Sequence, residues 1–298
     1  MPLRVYGTRS SFLAYLVTFL HGIILSWLSF FLPVYFQVLL QATPLKSGVY
    51  LLAIVIPLAP SGMVGGVLVA ITGRYKALIL TGFVLLAVGI GCFTILTSQT
   101  STAVWIILQV IVGTGGGLAL TATLPAVQAP LAESDVAVAT AAWAFCRSFG
   151  AIWGAAIPSA VFNSRFDSLL PGISDGNIRE LLAHGGAYEH ATRAFITSLD
   201  GNPELKRQVV DIYTACLKEV WQVLIAFAVV AIPIAIFIKE VELRTELKTE
   251  FGLKVNEDDP STSRAHLLLE RGSVSMPKVT GFNAHEDGIA NLRTTTYS

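Results

Sequence analysis

An all-α polytopic membrane protein with six transmembrane helices is what three features of this chain predict. Asp and Glu are absent up to Ala132, and the first acid is Glu133. Long apolar runs recur along the chain, each near the roughly 20 residues that a helix needs to cross about 30 Å of hydrocarbon. The third feature is bulk composition: 53% hydrophobic and only 13% charged residues, with a mean hydropathy of +0.65, are more apolar and less charged than a soluble domain. Zero net charge carries no message; the lipid bilayer is the expected partner, and nucleic acid is not.

The runs are Phe12–Phe36, Val49–Ile71, Ala77–Leu96, Ala103–Val127, Val136–Phe162 and Val220–Ile238. The first is too long for the apolar core of a signal peptide and lacks a small-residue cleavage site, so no cleavable leader is expected. Basic residues of short loops favour the cytoplasm. Arg4 and Arg9 precede the first span, Arg74 and Lys76 separate the second from the third, and Lys239 and Arg244 follow the sixth. Those positions share one side of a six-span protein, which places both termini in the cytoplasm. The expected organisation is a cytoplasmic N-terminal segment over 1–11, a bundle over 12–240 with an extracellular loop at about 163–218, and a disordered cytoplasmic tail over 241–298.

The polar stretch before the sixth span is long for a connector. Within it Asn202 suits a helix cap, with Pro203 at the first helical position, Glu204 in the first turn, and Leu205, Val209, Ile212, Cys216 and Val220 at helical spacing. That helix is expected to run on into the sixth span. Ile178–Ala183 is a weaker helical candidate. Ser and Thr in the tail, without apolar periodicity, read as solvated disorder.

Within the spans the informative residues are glycine, proline and uncharged polar groups. Thr18, Gly22, Ser26, Ser29, Pro33 and Gln37 recur at three- and four-residue steps and form one small-polar stripe on the first helix. On the fourth, Thr114, Thr121 and Gln128 lie seven apart on one line, and Gln109, Gly113 and Gly116 on another. Such faces either pack against neighbouring helices or line an aqueous substrate pathway. Gly62 and Gly66, Gly113 and Gly117, and Gly150 and Gly154 are small-xxx-small pairs that favour close helix contact. Prolines 57, 60, 125, 158 and 233 suggest kinks. His21 and Arg147 are ionisable groups inside spans, and such groups are functional candidates.

Enzyme chemistry finds no support. The run Gly113-Thr114-Gly115-Gly116-Gly117-Leu118 fails a dinucleotide fingerprint at its last position and has no preceding strand. Neither a zinc-protease His pair, a nucleophile elbow nor a P-loop occurs. Cys92, Cys146 and Cys216 form neither a disulfide framework nor a metal set. No catalytic residue, metal or cofactor is expected.

Several segments carry a resemblance to a known family. Phe30-Phe31-Leu32-Pro33-Val34-Tyr35-Phe36-Gln37, followed by Thr43-Pro44-Leu45-Lys46-Ser47-Gly48-Val49, resembles the entry to the second half of fourteen-span drug:proton antiporters of the major facilitator superfamily. Gly66-Val67-Leu68 through Thr72-Gly73-Arg74-Tyr75-Lys76 is similar to the cytoplasmic loop signature of that family. Ala126-Val127-Gln128-Ala129-Pro130-Leu131 and Phe145-Cys146-Arg147-Ser148-Phe149-Gly150, with Val161-Phe162-Asn163, are similar to its last cytoplasmic turn and penultimate span. The resemblance covers about Phe12 to Glu240.

It implies a six-helix bundle equivalent to the C-terminal half of such a transporter, with the first and fourth spans lining a central cavity and the second and fifth at its rim. His21, Ser26, Ser29, Gln109, Thr121 and Gln128 then become substrate-pathway candidates, and Arg74 and Arg147 gating or coupling candidates. The implied activity is proton-coupled efflux of drugs, toxins or hydrophobic metabolites at the plasma membrane, by rocking one half against the other. The first half, with the antiporter motif and coupling acids of that family, has no counterpart here, and Ala70 stands where an Asp is common. A missing N-terminal half or another copy is therefore the expected partner, beside a small hydrophobic substrate. A siderophore or other metabolite carrier half, and a truncated membrane protein without transport, are the alternative readings.

The orientation is open to direct test. In a background without native cysteines, a cysteine at Asp175 should react with a membrane-impermeant reagent on intact cells and one at Ser261 should not; the reverse pattern would overturn the basic-loop argument.

Overall fold

The computed structural model describes residues 6–241, all within one compact unit, Met1–Thr245. The predicted tail beyond Val241, with Ser261, and the start of the predicted N-terminal segment lie outside the described residues. Six helices long and apolar enough to cross a membrane are present, and no strand occurs among the described residues. This is an all-helical, multi-pass membrane protein.

Three of the six spans begin on a side-chain cap, at Thr8, Thr43 and Asn202. Helix α1 (Arg9–Val34) starts on Thr8, whose hydroxyl accepts from the Ser11 amide. It ends in a π-helical turn, Tyr35–Leu39. Helix α2 (Pro44–Thr72) starts on Thr43, with Pro44 at the first position. It stops at Gly73, whose φ of +68° is a left-handed conformation that costs glycine nothing. Helices α3 (Lys76–Phe93) and α4 (Thr102–Gln128) complete the first four spans.

Helix α5 (Val136–Leu169) passes well beyond the predicted end of its span. The polar stretch that follows is folded rather than open. It holds three short helices, α6 (Gly176–Leu182), α7 (Gly186–Glu189) and α8 (Arg193–Ser198), before α9 (Pro203–Ile236). Asn202 caps α9 through the Leu205 amide, and the helix continues without a break into the sixth span, as its apolar spacing predicts. Aromatic contacts seat the short helices on the bundle. Tyr188 packs on Phe31 and Phe162, and the Tyr213 hydroxyl donates to the Ala187 carbonyl at 2.6 Å. Arg165 and Glu219 join α5 to α9 at 2.9 Å.

Helix α1 is the most buried of the spans, and α2 and α5 are the least. The main partnerships are α2 with α4, α1 with α5, α3 with α4 and α3 with α9, and α1 also touches α4 and α9. Glycines set the closest of these. A Cβ at Gly150 or Gly154 of α5 would strike the Phe19 or Ile23 carbonyl of α1, and one at Gly113 or Gly117 of α4 would strike the Ile54 or Leu58 carbonyl of α2. The small-xxx-small pairs thus sit where backbones meet, as helices in lipid require.

Of the predicted basic positions, the described ones, Arg9, Arg74, Lys76 and Lys239, gather at one end. Ser10 and the backbone of Lys239 exchange hydrogen bonds at 2.9 and 3.0 Å. The Tyr75 hydroxyl donates to the Lys239 carbonyl at 3.2 Å and accepts from the Val241 amide at 2.8 Å. Burial pushes the Tyr75 phenol above its ordinary pKa. The short helices lie at the opposite end, where Lys206 of α9 reaches Gln41 at 3.1 Å.

Gly150→Leu should separate α1 from α5 and cost about 1–3 kcal/mol or more, the range for overpacking a close contact. Phe145→Leu, on an exposed position of the same helix, should cost little. The yield of monodisperse protein in detergent, and its thermal unfolding, measure both; equal yields would overturn the packing argument.

Candidate functional site

A cleft of about 320 Å³ opens between α1 and α5. His21, Ser26 and Ser29 contribute from α1, and Arg147 and Ser148 from α5. Gly22, Ser26 and Ser29, three steps of the predicted stripe, therefore share one wall with His21 beside them. Their spacing explains it, since residues three or four apart stand above one another on a helix. Arg147 comes to the same place because Gly22 lets the Arg147 backbone approach α1 closely.

The groups differ in how far they are satisfied. Ser26 donates across the helix pair to the Ala151 carbonyl at 2.7 Å, and Ser29 donates back to the Leu25 carbonyl at 2.8 Å. Both hydroxyls keep acceptor capacity. His21 is 1% exposed, and its Nε2 lies 3.0 Å from the Gly116 carbonyl of α4. A carbonyl only accepts, so Nε2 carries the proton and a neutral ring keeps a lone pair on Nδ1. That Nδ1 has no hydrogen-bond partner. The Arg147 guanidinium is exposed, stands 5.3 Å from the Trp143 ring centroid and has no carboxylate partner among the described residues.

Counting along α1, His21 lies about 18 Å from the end of the helix at Arg9, and Arg147 about 17 Å from the start of α5. Both sit deep within a span of about 30 Å. Polar and ionisable groups at that depth are tolerated where they face protein or water. What the cleft can do is hold a small molecule against one cation and three serine hydroxyls, with Leu25 and Ala151 as apolar wall.

The other pathway candidates stand elsewhere. Thr121 donates to the Gly62 carbonyl of α2 and to Gly117 of its own helix, both at 3.0 Å. Gln109 is fully buried, with Nε2 on the Trp105 carbonyl at 3.3 Å and Oε1 without a partner. Gln128 donates to the Thr140 hydroxyl of α5 at 2.9 Å. Thr121 and Gln128 bond across to α2 and α5, and Gln109 bonds within α4, which α2, α3 and α1 flank. Arg74 is exposed in the turn after α2 at the basic end, away from the cleft.

Sequence reasoning did not single out Ser148 or a second pocket at the far end. That pocket, of about 530 Å³, is bounded by Gln37, Thr43 and Pro44 on one side and by Thr192, Arg193 and Thr197 on the other. Gln37 was visible as the last step of the α1 stripe. Its partners come from a helix more than 150 residues away in sequence, which no local pattern links to it.

Comparison with known proteins agrees with this arrangement. A family model described as Major Facilitator Superfamily matches residues 2–162. Over 274 residues, 92% of this chain and 48% of the relative, the sequence is 47% identical to "Efflux pump FUS6" of Gibberella moniliformis. It is 43% identical over 275 residues to "MFS-type efflux pump LUC4" of a Fusarium species, covering 92% of this chain and 48% of that protein. An "Acurin A biosynthesis cluster MFS-type transporter" of Aspergillus aculeatus is 43% identical over 256 residues, 86% of this chain and 46% of its own length. The chain spans about half the length of these curated relatives. With six apolar helices, the glycine-set packing of the bundle and a family match across more than half its residues, the chain belongs to the major facilitator superfamily, a family of membrane transporters and not of enzymes.

Proposed function

We propose that this chain forms one six-helix half of an efflux transporter for drugs, toxins or hydrophobic metabolites. The observation that carries the reading is the cleft between α1 and α5, where Arg147 lies deep in the span without a carboxylate partner among the described residues and the Nδ1 of His21 has no hydrogen-bond partner. Groups so placed need water, substrate or a second protein surface in front of them. Relatives described as efflux pumps support the direction of transport.

The remaining parts of the function rest on the same site. A second bundle, from an N-terminal half or another copy, covers the exposed apolar faces of α2 and α5, which include Ile56, Met63, Ile71, Phe145 and Ile152. Rocking of the two bundles exposes the cleft to each side in turn, driven by inward proton flow, with Arg147 and Arg74 as the gating and coupling groups. The transporter acts as a drug antiporter at the plasma membrane, with both termini in the cytoplasm. Arg74, exposed beside Gly73 in the α2–α3 turn, faces that side.

A transporter of the relatives' full length carrying this segment should lower the retention of lipophilic fluorescent dyes in cells that lack their own efflux pumps. Collapse of the proton gradient should restore retention. Ser29→Leu should shift the ratio of two exported dyes by about fivefold, the value of roughly 1 kcal/mol in one hydrogen bond, at unchanged surface abundance. The chain reconstituted alone should export nothing in response to a pH gradient. Unchanged retention in cells that display the full-length protein at their surface would overturn the proposal.

A further inference from the structure

We infer that the cleft selects lipophilic carboxylic acids over lipophilic cations. This rests on the reading of the cleft as the substrate site and adds to it the chemical class of the substrate.

One unmet charge lines the cleft. Arg147 is a cation without a carboxylate partner among the described residues, and no Asp or Glu lines the cleft. The hydroxyls of Ser26, Ser29 and Ser148 stand in the same lining, whereas the His21 Nδ1 is enclosed. A carboxyl group meets this set. In its acid form it donates its O–H to a serine hydroxyl that keeps acceptor capacity and offers its carbonyl oxygen to the guanidinium; ionised, it faces the guanidinium with both oxygens.

Other classes fit less well. An alcohol meets the serine hydroxyls and leaves Arg147 without a counter-ion. A quaternary ammonium has no proton to give and meets a like charge at Arg147, which is costly where water is scarce. An ester carries the shape of the acid without its proton or charge. The apolar remainder of the molecule has a matching wall in Leu25 and Ala151.

The far pocket has the same sign. Gln37 lies eight residues beyond Ser29 on α1, about 12 Å along the axis. The pocket it lines holds Arg193 and three threonines and no acid. An anion leaving the cleft along the α1 stripe therefore meets a second cation at the end of the bundle.

The test is binding to the full chain in nanodiscs of zwitterionic lipid, with three anthracene probes: a carboxylate, its methyl ester and a trimethylammonium analogue. The carboxylate should bind about tenfold more tightly than the ester, in line with one charge-assisted contact, and the ammonium should bind more weakly than the ester. Arg147→Gln should remove the preference for the carboxylate, Arg147→Lys should keep most of it, and Arg147→Glu should reverse it toward the ammonium. Circular dichroism and size exclusion report whether each variant is folded.

A wild-type chain that binds acid and ester alike would overturn the inference without any variant. A folded Arg147→Gln chain that keeps the preference would overturn it too. Repeating the measurement with anionic phosphatidylglycerol in the disc tests whether the group attracted is a lipid phosphate. Loss of the carboxylate preference there, with no competition from added free carboxylate, would assign the cleft to lipid and defeat the inference. Efflux of dyes without acid preference would sink this inference alone, whereas acid-selective binding without efflux by the full-length protein would sink the transport reading alone.

Discussion

Backbone approach between helices is the constraint on which the rest of this bundle depends. In hydrocarbon, lipid tails compete equally for apolar side chains, so helices gain by association only where they pack closely or hydrogen-bond to one another. Here Gly113 and Gly117 bring α4 onto carbonyls of α2, and Gly150 and Gly154 bring α5 onto carbonyls of α1. The two α-helical pairs meet through the contact of α1 with α4, where His21 reaches Gly116. Removing side chains at the contact is what lets polar groups at its margins find one another: Ser26 reaches Ala151, and Thr121 reaches Gly62.

The same packing creates the cleft. Because the α1 and α5 backbones touch at Gly22, Gly150 and Gly154, the longer side chains beside those glycines are displaced to the edge of the contact. Arg147 and Ser148 are forced outward there beside His21, Ser26 and Ser29. A small-residue contact and a polar cavity are thus two consequences of one sequence pattern. The stripe on α1 serves both, with Gly22 packing and its neighbours facing the opening.

Not every polar residue in a span belongs to a pathway. Thr121, Gln109 and Gln128 have the composition of cavity residues, but α4 lies between other helices and they bond to backbone or to a neighbouring hydroxyl. Helical spacing says which residues share a face; it does not say what covers that face. The folded stretch between α5 and α9 makes the same point. Its polar composition reads as a connector, yet Tyr188 packs it on Phe31 of α1 and Phe162 of α5, and the Tyr213 hydroxyl of α9 donates to its Ala187 carbonyl.

The sequence by itself determined the membrane class, the six spans, the cap at Asn202, the family, and the glycine pairs that would touch. These depend on local quantities: run length, residue type and spacing along one helix. Only the tertiary structure decided which polar faces are open, because exposure depends on the neighbour rather than on the helix that carries the residue. It placed His21 and Arg147 in one cleft although they are more than 120 residues apart, and it withdrew Gln109 and Thr121 into contacts. It also set Arg193 opposite Gln37, a pairing made by helices that meet only once the bundle has closed.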